Sequence, residues 1–163
     1  MEGPCCTGAI SMDISQMQDG DRAGFAAFNG HSAIMTVEKV GKKTSLVLTH
    51  EEVSLADDNK AITNVKREEI ARVDLKKAKN LCLRIDGDFT PIDPNGTRGG
   101  HDNATFFYSL DNGKTWTQIG GDYKMRFDYR RLFMGTKFTI FNYTVNESSN
   151  GYVDVDWFHY SRK

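Results

Sequence analysis

Residues 104–121, ATFFYSLDNGKTWTQIGG, leave the backbone few options. The first run, residues 104–110, is aromatic and β-branched, which suits a pleated and largely buried surface. The second, residues 115–119, alternates Trp116 and Gln118 with Thr117 and Ile119. Between them stand Asp111, Asn112, Gly113 and Lys114. Asp and Asn side chains bond nearby backbone and tolerate positive φ, and Gly accepts it freely, so the tetrapeptide closes a tight loop without strain. A hairpin with so specified a turn fixes its own register, and therefore which side chains face a core.

The rest of the chain is punctuated in the same way. Ile10, Met12 and Ile14 recur at period two before the polar turn SQMQDGD. The run AGFAAF, the turn Asn29-Gly30 and the run over residues 32–38 make a second hairpin, and residues 44–49 add another strand. Residues 51–75 are rich in charge; Val65, Ile70 and Val73 would fit an amphipathic helix, but the β pattern on both sides predicts irregular chain with one strand. Leu81, Leu83 and Ile85 alternate with Cys82, Arg84 and Asp86 in a further strand. A long loop over residues 86–103 and looser chain over 121–135 flank the central hairpin, and Phe138 and Ile140 mark a strand over 136–143. The last strand, residues 152–160, is predicted to turn Val153, Val155 and Trp157 to the core and Tyr152, Asp154, Asp156 and Phe158 away from it. Short strands at this spacing predict one antiparallel all-β module over residues 1–163.

Composition narrows the partners. The chain of 163 residues can build a core without staples, and its 21 basic against 22 acidic residues give no net field toward nucleic acid or an anionic membrane. No apolar run is long enough for a membrane-spanning helix, and MEGPCCTG does not read as a leader, which leaves a cytoplasmic protein or a piece of a longer one. The compartment stays open; a secreted parent enzyme would make it extracellular or periplasmic. Cys5, Cys6 and Cys82 form neither a disulfide framework nor a zinc pattern, and Cys82 reads as a small buried residue. His31, His50, His101 and His159 match no metal spacing.

Ser109, Asp111, Gly113, Thr115 and Trp116 match S-x-D-x-G-x-T-W, which resembles the Asp-box hairpin of sialidases and other carbohydrate-active β proteins. There the Asp ties down the turn and the Trp packs beneath it. No second copy occurs at blade spacing, which argues against a propeller. Three longer stretches, DISQMQDGDRAGFAAF, ATFFYSLDNGKTWTQIGGDYKMRF with LFMGTKFTIFNY, and GYVDVDWF, resemble in order the C-terminal accessory domain of glycoside hydrolase family 43 β-xylosidases and α-arabinofuranosidases. The resemblance implies a concanavalin A-like jelly roll, two antiparallel sheets packed face to face. It also implies a separate catalytic propeller in cis, with the accessory domain binding xylan in some members and lending a loop to the catalytic pocket in others. Family members carry strand-forming chain upstream of the stretch matching residues 6–14, so the module is expected to lack a first strand, and its loop over 90–102 is longer than usual.

Glycoside hydrolysis needs two carboxylates about 5–9 Å apart. Asp154 and Asp156 share a strand face, but the E-x-D-x-x-E signature of sandwich glycanases is missing, so no catalytic residue is expected and the chain alone is not an enzyme. Sugar binding needs aromatic faces to stack on pyranose rings and charged groups to take paired hydroxyls. Arg84, Asp86, Phe141, Tyr143, Tyr152, Asp154 and Asp156 supply both on what is expected to be one non-core face; the plainer reading is a solvated strand face. Asp86, Asp88, Asp93 and Asp102 cluster in sequence as candidates for a structural calcium, the one cofactor considered. The expected function is therefore a non-catalytic module binding xylan or a related plant polysaccharide, and the alternative is a purely structural domain that supports the propeller.

Overall fold

Alternation at period two governs nearly every segment, and strands result. A computed structural model describes residues 1–58, 60–93, 99–126 and 135–162. Among these run β1 (Cys5–Asp13), β2 (Asp21–Phe28), β3 (His31–Val40), β4 (Lys43–Leu55), β5 (Ile62–Asp74), β6 (Asn80–Asp88), β7 (Asn103–Ser109), β8 (Thr117–Gln118), β9 (Tyr123–Lys124), β10 (Lys137–Thr144) and β11 (Asp154–Arg162). They form two antiparallel sheets. One has the order β11-β1-β6-β7-β8, with β9 also on β7, and the other β10-β2-β3-β4-β5.

Each sheet turns one apolar set inward. Ile10 and Met12 of β1, Leu81, Leu83 and Ile85 of β6 and Phe106 of β7 meet Phe25 of β2, Met35 and Val37 of β3 and Leu46 and Leu48 of β4, and none is more than 1% exposed. Burying side chains of this size stabilises by about 1.5–3 kcal/mol each. At one edge the sheets close on an aromatic stack. Phe138 of β10 lies on Phe25 with centroids 5.6 Å apart, and only the missing side chain of Gly8 on β1 admits it, since a Cβ there would stand 2.9 Å from the ring.

Three sequence expectations need correction. Residues 51–75 are neither helical nor irregular: most belong to a hairpin of two 13-residue strands, β4 and β5. Charge does not break a strand at a sheet edge, where Glu51 and Arg67, directly opposite in register, bond across the pair at 2.7 Å. The second arm of the central hairpin is short, only Thr117 and Gln118 pairing with β7, although the turn holds as expected, with Asn112 and Gly113 at φ 62° and 79°. On β11 a bulge falls between the pairs Ser11–Trp157 and Met12–Val155, with Asp156 as the additional residue. It inverts the alternation beyond that point. Trp157 faces outward with Ser11, and Phe158 turns inward to meet Phe25 edge-on at 6.2 Å.

The Asp box is a fastening device. Asp111 accepts from the Thr115 hydroxyl (2.6 Å) and amide (2.9 Å) and from the Ser109 hydroxyl (2.7 Å), which together hold its carboxyl well below the ordinary range. Trp116 lies under Gly113. The three cysteines are free thiols, and Cys82 is buried, which pushes its pKa up.

Candidate functional site

The outward face of the five-stranded sheet is hollow because its middle rows are small. In register, Phe141 of β10 sits beside Gly24, then Thr36 and Val47; the next row is Thr139, Ala26, Ile34 and Thr49. A Cβ on Gly24 would stand 2.8 Å from the Phe141 ring and 1.9 Å from the Met35 carbonyl oxygen, so the floor tolerates only glycine there. The result is a groove of about 570 Å³.

Its two walls differ in chemistry. On the β10 side stand Phe141 and Tyr143, with ring centroids 6.1 Å apart and planes inclined by 33°, and Phe28 and Val145 extend this wall. Tyr143 is 54% exposed. Ion pairs line the rest: Arg22, beside Tyr143 in register, lies 3.5 Å from Glu38, Glu38 is also bound by Arg72 of the far strand β5, Arg72 reaches Glu69 at 2.7 Å, and Arg67 of β5 reaches Glu51 at 2.7 Å. Donating hydrogen bonds to these carboxylates raises the pKa of Arg67 and Arg72, and the Arg72 guanidinium lowers that of Glu69. Guanidinium donors and carboxylate acceptors thus stand at fixed positions in the same groove as aromatic faces, an arrangement able to take paired hydroxyls and an apolar ring together.

The structure divides the seven sequence-chosen residues between two faces. Phe141 and Tyr143 lie in the groove. Arg84, Asp86, Asp154 and Asp156 lie on the outward face of the other sheet, where Arg84 reaches Asp86 at 3.2 Å, Asp86 accepts from Thr7 at 2.9 Å and Asp156 accepts from Ser11 at 3.0 Å. Tyr152 precedes β11, half exposed, its amide donating to the Gln16 carbonyl. One common face was therefore a wrong expectation. Alternation says which residues share a side of a strand, whereas sheet membership put β10 opposite β6 and β11.

Sequence reasoning missed Arg22, Glu38, Glu51, Arg67 and Arg72. For Arg67 and Arg72 the signal was present in the charge of both signs over residues 66–72, which the reading of that region as irregular chain set aside. Of the calcium candidates, Asp86 is engaged as above, Asp88 accepts from the Thr90 hydroxyl at 2.6 Å and amide at 2.9 Å, and Asp102 lies 3.9 Å from Lys124. Asp93 borders residues 94–98, which lie outside the described residues. Among the described residues no three His, Cys, Asp or Glu side chains come together to hold a metal. A smaller cleft of about 240 Å³ opens between the ends of the sheets, where the His50 ring packs on Tyr123 at 4.7 Å. Burial there lowers the His50 pKa and pushes Tyr123 up to about 12.

Two antiparallel sheets packed face to face, with one outward face hollowed and lined by rings and ion pairs, define a concanavalin A-like β-sandwich of the accessory type. The chain belongs to the family of β-xylosidase C-terminal concanavalin A-like domains, whose model matches residues 1–161. It is similar to part of a GH43 glycoside hydrolase engineered to display both endo-xylanase and exo-arabinofuranosidase activity, with 30% identity and a TM-score of 0.80 over 98% of this chain and 29% of that one. A bifunctional GH43-CE protein of Bacteroides eggerthii is similar at 30% identity and a TM-score of 0.78, over 99% of this chain and 18% of the other. A GH43 protein from Bacillus licheniformis shares the fold at 15% identity and a TM-score of 0.65, over 98% of this chain and 28% of that one. The chain thus spans less than a third of each of these proteins. No curated protein sequence matches it.

Proposed function

We propose that this domain is a non-catalytic carbohydrate-binding module of a hemicellulose-degrading enzyme, and that the groove of the five-stranded sheet takes xylan or a related chain. The observation that carries this reading is a single groove lined by Phe141 and Tyr143 together with the Arg22–Glu38 and Arg67–Glu51 ion pairs. A pyranose chain presents an apolar face to the rings and hydroxyl pairs to the charges. The partner in cis is a family 43 catalytic domain, which performs the hydrolysis. Calorimetry with xylohexaose, arabinoxylan and a β-glucan tests the proposal: binding of a xylan ligand, weakened at least tenfold in the double variant Phe141→Ala, Tyr143→Ala, supports it. Absence of heat with every xylan ligand at millimolar concentration would refute it.

A structural role is the second reading, and one observation favours it. Ile140, Val155, Phe158 and Tyr160, on the edge strands β10 and β11, are each between 41% and 46% exposed. A supporting domain would cover this edge with its catalytic neighbour. Adding the separately expressed catalytic domain and following amide exchange of β11 distinguishes the two, because a glycan in the groove touches β10 but no residue of β11 and leaves that strand unprotected.

A further inference from the structure

Resting on the glycan reading of the groove, we propose that the outward face of the six-stranded sheet is a second and independent glycan site, so that the domain holds two chains at once. The face is built around stacked groups. On β6, the Arg84 guanidinium lies 4.3 Å from the centroid of Phe107 and 4.8 Å from that of Trp116. On β11, Trp157 and His159 are stacked with centroids 4.3 Å apart and planes inclined by 17°. Only β1 separates β6 from β11, so the two stacks stand about 10 Å apart by the spacing of neighbouring strands. That span matches two linked sugar rings.

The strand between them is kept low. Ala9 pairs with both His159 and Arg84 and Ser11 with both Trp157 and Cys82, and both small residues are buried, leaving the rings and the guanidinium as the surface. The bulge at Asp156 makes this possible, because without it Trp157 would point into the core. Polar groups fringe the stacks: Asp86 between Arg84 and Thr7, and Asp156 on Ser11. Among the described residues the one cation amid the stacks other than a histidine, Arg84, is already paired with a carboxylate, so the surface suits a neutral polyol rather than a phosphate or a nucleic acid. The Arg84 Nε is buried with no acceptor among the described residues, so rings and Asp86, not backbone, hold the group in place. Whereas the groove encloses a single chain, this face offers an open, ring-lined surface along which a β-linked xylan chain can lie.

Trp116 and Trp157 are the only tryptophans in the chain, and both stand on this platform while the groove has none. Tryptophan emission therefore reports on one site alone. On titrating the chain with xylohexaose, emission is expected to change saturably, to do so equally in the variant Phe141→Ala, Tyr143→Ala, and to fade with about tenfold weaker affinity in Trp157→Ala. Calorimetry on the unaltered chain is expected to give two ligands per chain, falling to one in either variant. Flat emission alongside calorimetric binding of one ligand overturns the platform and leaves the groove standing. Loss of the emission response in the groove variant also overturns it, since the sites would not be independent. Flat emission with no heat at all overturns both readings.

Discussion

The Phe141 ring covers Gly24 of the neighbouring strand, so that a Cβ at position 24 would come within 2.8 Å of the ring. This contact couples the floor of the groove to its aromatic wall. Gly24→Ala would also drive a methyl against the Met35 carbonyl at 1.9 Å, a distance that the backbone must yield to. Overpacking of this kind costs about 1–3 kcal/mol or more. The expected result is a lower Tm by circular dichroism together with weaker xylan binding, whereas Gly121→Ala, which meets no atom within 4 Å, leaves both unchanged.

Asp21 is the hub of a second contact, between the β1–β2 turn and the chain before β11. It accepts from the Gln18 amide at 2.6 Å and the Ser149 hydroxyl at 2.5 Å. Burial pushes its pKa up, but the hydrogen bonds from Ser149 and Gln18 outweigh this, and the net shift is downward. A carboxyl with a lowered folded pKa contributes stability above the unfolded value near about 4 that is lost as the pH falls through the folded one. Asp21→Ala leaves the Gln18 amide without its acceptor and is expected to cost about 1–3 kcal/mol at pH 7, measured by urea unfolding. The difference from the unaltered chain should shrink below pH 4.

His50 sets a pH dependence at higher pH. Its burial lowers the pKa, against the opposing pull of Glu68 and Glu52. The unfolded chain therefore takes up the proton first. Stability is full above about 6.5 and declines as the pH falls toward the folded value. His50→Leu removes this titration and also the buried Nε2, which has no partner among the described residues. The Tm of the variant between pH 7.5 and 5.5 is expected to be flatter than that of the unaltered chain, and no lower at pH 7.5.

The charged wall is expected to act in binding and little in folding. Arg67 is largely exposed at its side chain, and its pair with Glu51 bridges two strands already joined by backbone bonds. Exposed pairs contribute about 0–1 kcal/mol. Arg67→Gln should shift the Tm only slightly while weakening xylohexaose binding several-fold by calorimetry. A large Tm loss with unchanged affinity would assign Arg67 to the scaffold.

The fold was legible in the sequence because alternation, turn residues and the Asp box all pointed the same way. The core residues Ile10, Met12, Leu81, Leu83 and Ile85 follow directly from period two. What stayed hidden depended on distant pairing. The bulge at Asp156 exists because β11 must fit β1, and nothing in YVDVDWFHY marks where a residue will be added. Likewise the separation of Phe141 and Tyr143 from Arg84 follows from β10 joining β2, an event 115 or so residues apart in sequence. The groove was half visible for the same reason: its rings were found, and its ion pairs, spread over β2 to β5, were not.

The strand β5 closes one side of its sheet with Lys66, Arg67, Glu68, Glu69, Arg72 and Asp74. A long open edge is a template on which another chain can grow, and any such chain would have to strip water from charges of both signs before its first backbone bond formed. On the opposite sheet, the bulge and the aspartates of β11 interrupt the edge in a different way. These two edges are thereby guarded against growth by copies of the same chain.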